Sequence, residues 1–221
     1  MKIINPDRCI VFFDFDNTIA TYDVFDSMLP IFSRDKIWLK LERDWEKGRI
    51  GSHKCLKEQV KGMNINKPDL DKHLYKVKLD LYFFRIISLL KKKKIKTVVL
   101  SDNFDYILKR IFKYHNVNGL KIYSNKLIFL KNGQLRPSFP YRNNKCRICA
   151  HCKTKNLLAN VLPNSIIIYI GDGRSDICPS HYADIVFAKD SLLKFFQDKK
   201  LACFSYKSLK DVHSYLKRSL L

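Results

Sequence analysis

The sequence predicts an α/β protein: a doubly wound, mostly parallel, Rossmann-like sheet with a helical cap inserted after the first strand. Three observations carry that expectation. Short continuous apolar runs, suited to strands buried on both faces, recur at Cys9–Asp14, Ile95–Ser101, Ser165–Gly171 and Asp184–Ala188. Helix-like patterns at Phe104–His115, Thr154–Leu162 and Ser191–Lys199 separate the later runs, the alternation that right-handed crossovers require. Between the first and second runs only helical patterns occur.

Taken in order, Cys9–Asp14 is the first strand; it is too short for the apolar region of a signal peptide and ends in a carboxylate. Residues 22–92 then read as helices at Asp23–Phe32, Lys36–Lys47, Ser52–Lys61, Asp69–Val77 and Leu81–Lys94. The expected division is therefore a core domain of residues 1–21 and 93–221 with a cap of residues 22–92. The Lys91–Lys94 run suits a solvated helix end, where cations favour the negative pole of the helix. Lys121–Leu135, with Asn132-Gly133 inside it, reads as a strand and hairpin.

Composition narrows the class. Of 221 residues 46% are hydrophobic and 13% aromatic, which supports one substantial core and excludes a disordered chain. Seven Gly and seven Pro exclude collagen-like or low-complexity sequence. The 42 Lys and Arg against 21 Asp and Glu leave a net charge of +21, which draws polyanions, phosphorylated metabolites or an anionic membrane surface. The lysines are spread over nearly every segment, which fits biased composition better than a basic groove, and no nucleic-acid-binding motif occurs. Neither specific nucleic acid nor membrane is expected as a partner, because no segment approaches the ~20 apolar residues of a span. A cytoplasmic location is expected, with the seven cysteines as reduced thiols.

The chemistry sits at the strand ends. In open α/β sheets the ligand crevice lies at the carboxyl ends of the strands. There the chain carries Asp14-Phe15-Asp16-Asn17-Thr18, Ser101-Asp102-Asn103 and Gly171-Asp172-Gly173-Arg174-Ser175-Asp176. Any one of these aspartates could be a helix N-cap or turn residue. Three strand ends bearing carboxylates together need a cation to hold them, and all-oxygen ligands favour a hard ion, Mg²⁺ first.

These motifs, with a Lys standing before a helix, resemble the four motifs of the haloacid-dehalogenase-like phosphatases, and the helical insertion after the first strand agrees. The resemblance spans nearly the whole chain. It narrows to the phosphoserine-phosphatase-like branch, near the methionine-salvage enol-phosphate phosphatases and the phosphoethanolamine/phosphocholine phosphatases. Trp45-x-x-Gly48-x-Ile50-Gly51-Ser52 with Cys55 and Gln59, the stretch ending Cys152-Lys153, and Gly171 to Pro179 carry that narrower resemblance. It implies a Mg²⁺-dependent phosphatase acting on a small phosphomonoester through an aspartyl-phosphate.

On that reading Asp14 is the carboxylate nucleophile and Asp16 the general acid and base. Asp14, Asp172 and the backbone carbonyl of Asp16 are expected metal ligands, with Asp176 a further ligand or an acceptor behind them. Ser101 is expected to donate to a phosphoryl oxygen, beside Thr18, Asn103 and Gly173 as substrate-binding residues. Lys153 is the expected cation on the phosphoryl group and Lys155 the alternative, because in resembling enzymes the lysine directly follows a cysteine or glycine. Cys146, Cys149, His151 and Cys152 have zinc-like spacing, but the pattern is compact and no distant second pair completes it, so reduced cysteines packed beside the lysine are expected. His53, His115 and His181 read as surface or core histidines. Arg34, Trp38, Arg43, Trp45 and Arg49 recur at helical spacing in the cap, either facing substrate or lying on a solvated face. The rival functions are a nucleotide or nucleic-acid end phosphatase, suggested by charge, and a non-catalytic phosphate-binding protein, against which the complete Asp14, Asp16, Ser101, Lys153 and Asp172 set argues.

Overall fold

The computed structural model describes residues 3–146 and 148–220. In chain order the elements are β1 (Cys9–Phe13), α1 (Val24–Phe32), α2 (Ile37–Glu46), α3 (Ser52–Gly62), α4 (Lys67–Leu74), α5 (Leu81–Lys92), β2 (Lys96–Phe104), α6 (Asp105–Tyr114), β3 (Lys121–Phe129) and β4 (Leu135–Ser138). They continue as α7 (Lys153–Leu158), β5 (Ile166–Gly171), α8 (Ile177–Ser180), β6 (Ile185–Ala188), α9 (Asp190–Asp198), β7 (Phe204–Ser205) and α10 (Leu209–Ser219). The strands form one seven-stranded sheet in the order β4-β3-β2-β1-β5-β6-β7, parallel except for the antiparallel β3–β4 hairpin.

The apolar run of β1 is buried at every position because both faces of the sheet are covered. Val11 and Phe13 join the larger core, with Phe83 and Ile86 of α5, Ile107 and Ile111 of α6, and Val212 and Leu216 of α10. Ile10 and Phe12 point to the opposite face, where Leu157 of α7 packs over Val98, Leu100 and Tyr169. Farther along that face Leu192 and Phe196 of α9 cover Val186 and Ala188. This two-residue alternation, apolar on both sides, is what a central parallel strand requires.

The chain leaves β1 through a neck of paired backbone. Ala20 and Leu79 form an isolated antiparallel bridge, and the amides of Thr21 and Asp80 donate to the carbonyls of Lys78 and Ile19. Helices α1–α4 lie beyond this neck. Helix α5 was expected in the insertion but follows the neck and packs on the sheet, with Phe83 edge-on to Phe13 at 5.7 Å. Four apolar positions along α5 face the core, and burying them against the sheet outweighs their adjacency in sequence to the cap helices. Strand β7 and helix α10 went unread in the sequence, since a two-residue edge strand is too short to show a period.

Strand β2 runs past its expected end at Ser101. Its register to β3 jumps between Leu100 and Phe104, a bulge that re-aims Ser101, Asp102 and Asn103. The direction of strand addition reverses at β1, with β2 on one side and β5 on the other, so the crevice opens above these three strand ends.

Candidate active site

Asp14 continues β1: its amide donates to the Ile170 carbonyl of β5 at 2.9 Å, which holds its buried side chain above the sheet. A tight turn follows, in which the Phe15 carbonyl accepts from the amides of Thr18, Ile19 and Ala20. Asn17 adopts φ +53°, a left-handed conformation that asparagine tolerates better than most side chains. The turn carries Asp16 toward the start of α1, where the Val24 amide donates to its Oδ1 at 2.9 Å. Asn103 donates its Nδ2 to both Asp16 oxygens, at 3.0 and 3.1 Å.

Lys153, the first residue of α7, is buried with its Nζ 2.6 Å from Asp14 Oδ1 and 2.7 Å from Asp176 Oδ1. Lys155, two residues on, is exposed. Asp176 is fully enclosed: Oδ1 also accepts from the Tyr169 hydroxyl at 2.7 Å, and Oδ2 accepts from the amides of Asp172 and Gly173 at 3.1 and 3.0 Å. A Cβ at Gly171 would stand 2.6 Å from that Oδ2, so glycine is required for the carboxylate to approach the strand end. Asp176 thus spends its acceptor capacity on Lys153, Tyr169 and the loop backbone, which suits a positioning group better than a direct ligand.

Asp14, Asp172 and Asp176 each place an oxygen within 4.8 Å of the others. Three buried carboxylates then share one ammonium. Burial first, and then the Asp176 charge, push Asp14 well above the usual carboxylate range, only partly offset by Lys153. Burial and Asp176 push Asp172 up to about 7. Burial alone would lower Lys153, but Asp14 and Asp176 outweigh it and keep the ammonium charged. The surplus of negative charge is what a divalent cation would neutralise, so this donor set fits a hard metal ion.

Of two expected substrate contacts, Thr18 turns elsewhere, whereas Ser101 keeps its hydroxyl proton free to donate. Thr18 is buried and donates from Oγ1 to Asp172 Oδ1 at 3.2 Å, with the Tyr206 hydroxyl at 3.3 Å, so it orients Asp172 instead of lining the cavity. Ser101 is fully buried and its Oγ accepts from the Asn103 amide at 3.0 Å. Its carbonyl accepts from His151 Nδ1 at 2.7 Å, while Asn156 donates to His151 Nε2 at 2.6 Å. Burial holds His151 near 4, hence neutral, and with both nitrogens engaged it cannot complete the zinc pattern. Cys146 and Cys149 stand with their sulfurs 4.0 Å apart as free thiols.

The cavity over these strand ends measures about 470 Å³. Its floor is Asp14, Asp16, Asp102, Asn103, Lys153 and Gly173, and its far wall comes from the helices beyond the neck. That wall is acidic: Asp23, Asp26, Glu42 and Glu46 line it beside Phe25, Trp45 and Leu56. Burial, followed by Asp23, Glu42 and Glu46, pushes Asp26 up to about 8. Sequence reading missed these four acids. Glu42 and Glu46 stand one turn apart on α2, a visible signal, but nothing local ties them to Asp23 and Asp26 of the α1 segment. Of the five cap residues considered, Trp45 alone lines the cavity; Arg49 pairs with Asp44 at the surface. Arg174 reaches from the core loop to the Trp45 carbonyl at 3.0 Å and stacks over the Trp45 ring, fastening α2 above the floor.

Comparison with known proteins agrees with this geometry. The profile of the family described as "Putative Phosphatase" matches residues 9–195. A thiamine phosphate phosphatase-like protein of Arabidopsis thaliana is 24% identical over 188 residues, spanning 78% of this chain and 76% of its own. A 2-hydroxy-3-keto-5-methylthiopentenyl-1-phosphate phosphatase of Geobacillus thermodenitrificans is 26% identical over 219 residues, covering 96% of each chain. The solved phospho-aspartyl intermediate analogue of a phosphoserine phosphatase superposes with a TM-score of 0.72 at 18% identity, covering 97% of this chain and 99% of that one.

Proposed function

The chain belongs to the "Putative Phosphatase" family and is a phosphoserine-phosphatase-like, haloacid-dehalogenase-type phosphatase, and on that premise we propose that it hydrolyses a small phosphomonoester with Mg²⁺ through an aspartyl-phosphate on Asp14. The observation that carries the proposal is the buried Asp14–Lys153–Asp176 constellation at converging strand ends, with Asp16 held above it.

Asp14 and Asp172 would hold the ion together with the Asp16 carbonyl, while Asp176 keeps the Asp172–Gly173 loop and Lys153 in place. When bound, Mg²⁺ supplies the charge that the carboxylate cluster lacks and neutralises phosphoryl oxygens. In the first step an Asp14 oxygen forms a bond to phosphorus as the phosphorus–oxygen bond to the leaving group breaks. Asp16 gives its proton to the departing oxygen. Burial and the neighbouring Asp23 charge raise Asp16 well above the usual range, which favours the protonated form that the acid step needs. In the second step Asp16, now ionised, takes a proton from water while the water oxygen attacks phosphorus. The Asp14–phosphorus bond breaks and inorganic phosphate leaves. Lys153 stabilises charge on the equatorial oxygens and separates Asp14 from Asp176. Asn103 aims Asp16, and Thr18 aims Asp172.

Helices α1–α4 form the cap of this reading, and their acidic wall bears on the substrate. A cavity that offers Asp23, Asp26, Glu42 and Glu46 opposite the nucleophile favours a leaving group with a cation, and repels a polyanionic chain. The nucleic-acid end-phosphatase alternative rests on the net charge of +21, which this cavity does not share. Turnover across a panel of aminoalkyl, alkyl and nucleoside monophosphates and an end-phosphorylated oligonucleotide, with Mg²⁺, tests the reading. Fastest release from an aminoalkyl phosphate supports it; fastest release from an oligonucleotide end refutes it.

A further inference from the structure

A second cavity, of about 430 Å³, opens on the seam between α3 and β4. It has the opposite sign from the first. His53 of α3, Arg136 and Ser138 of β4, and Arg142 beyond β4 face into it. Arg142 Nε is buried with no hydrogen-bond partner. Among the described residues neither guanidinium enters an ion pair, since the paired acids go to Arg49, Lys61, Lys109, Arg110, Lys153 and Lys189. The His53 ring sits 4.6 Å from that of Phe139, and burial followed by the charges of Arg142 and Lys57 lowers its basicity. The buried Arg142 Nε–H is left without an acceptor, which costs free energy that a bound anion would recover.

We propose that this cavity is an anion-binding site taking a phosphate group, held by Arg136 and Arg142 from the core side and His53 from the cap side. Two guanidiniums and a hydroxyl lining one cavity match a tetrahedral oxyanion, which accepts on several oxygens at once. The position gives such an anion a consequence. The His53 amide donates to the Ile148 carbonyl at 3.2 Å, and the neighbouring Ser52 hydroxyl, which lines the catalytic cavity, accepts from the Ala150 amide at 2.9 Å. A Cβ at Gly51 would collide with the same Ile148 carbonyl, so the seam is in close backbone contact. An anion bridging α3 and β4 therefore favours the docked cap over an open one.

The test reads His53 directly, so its failure is separable from failure of the catalytic assignment. The imidazole proton of His53 is followed by NMR against pH in the full chain with divalent ions chelated, so that methyl phosphate is not turned over, with and without inorganic phosphate, methyl phosphate or sulfate. A neighbouring anion favours the imidazolium, so bound anion should raise the His53 pKa by roughly one unit. Sulfate keeps its charge over this range and excludes titration of the anion itself as the cause. Arg142→Ala and the exposed Arg136→Ala should each weaken the effect about tenfold while retaining aryl-phosphate turnover, which shows that they fold. Inorganic phosphate acting at lower concentration than methyl phosphate assigns the site to free phosphate, and the reverse order to an esterified group. No shift of His53 at about 10 mM of any of the three, or a shift in both arginine variants as large and at as low an anion concentration as in the parent chain, overturns the proposal.

Discussion

The two cavities meet at neighbouring residues of α3, Ser52 lining one and His53 the other, yet they carry opposite charge. The catalytic cavity concentrates carboxylates within a protein of net charge +21, whereas the seam cavity gathers unpaired bases. Net charge thus says little about what either one binds. Field strength at a site comes from the few groups within a Debye length, about 8 Å at physiological salt, not from lysines on remote faces. A phosphatase with an acidic cavity depends on local cations, Lys153 and the proposed metal, to admit a phosphoryl group at all.

The sharpest way to break the comparison is to neutralise one acid and one base. Asp14→Asn should reduce turnover by about 10⁴-fold or more, since it removes the nucleophile and a proposed metal ligand. Arg142→Ala should leave turnover within about twofold, a rim-scale electrostatic effect. Chelation of divalent ions should abolish activity and added Mg²⁺ should restore it. Steady-state kinetics on one aryl phosphate decides all three, and an active Asp14→Asn chain would refute the nucleophile.

Within the catalytic cavity, Lys153→Ala should lower turnover by roughly 10²- to 10³-fold, comparable to losing an oxyanion donor. It should also destabilise the fold by about 3–5 kcal/mol, because Asp14 and Asp176 are left buried without their partner. Lys155→Ala, exposed and unpaired with the site, should change neither. The same kinetics with urea unfolding checks this, and a loss confined to Lys155→Ala would move the catalytic cation.

A smaller effect sharpens the acidic half of the comparison. Asp26 is raised to about 8 and Asp172 to about 7 in the folded chain, against about 4 for an unfolded aspartate. Between those values the folded state binds more protons than the unfolded one, so these groups' stabilisation is complete below about pH 4 and lost as pH rises through 7 to 8. Asp26→Asn should therefore be more stable than the parent by on the order of 1–3 kcal/mol at pH 8.5, and no more stable at pH 4. Denaturant unfolding at both values measures it; greater stability at pH 4 alone would remove the case for a strained acidic wall.

The smallest expected change is in specificity. Asp26→Asn combined with Glu42→Gln should raise KM for an aminoalkyl phosphate about three- to tenfold and leave that for an alkyl phosphate without an amine unchanged. Equal changes for both substrates would make the wall structural.

The carboxylate floor of the candidate site was legible in the sequence because its signals are local. Asp14 and Asp16 follow an apolar run by one and three positions, and Asp172 and Asp176 follow another, so strand periodicity and strand-end position carry them without tertiary information. The alternating runs likewise determined the parallel sheet, since strands covered on both faces need apolar residues at every position. What only the tertiary structure decided is where side chains meet across long separations. It set Lys153, not Lys155, against Asp14, because the first residue of α7 faces the strand ends and the exposed third does not. It turned Thr18 toward Asp172 and Ser101 toward Asn103, and it enclosed His151 between Ser101 and Asn156. It returned α5 to the core and drew Asp23, Asp26, Glu42 and Glu46 into one wall beside a basic seam. Charge convergence of this kind depends on how α1–α4 cross one another above the neck, and crossing is settled by packing, which leaves no period in the chain.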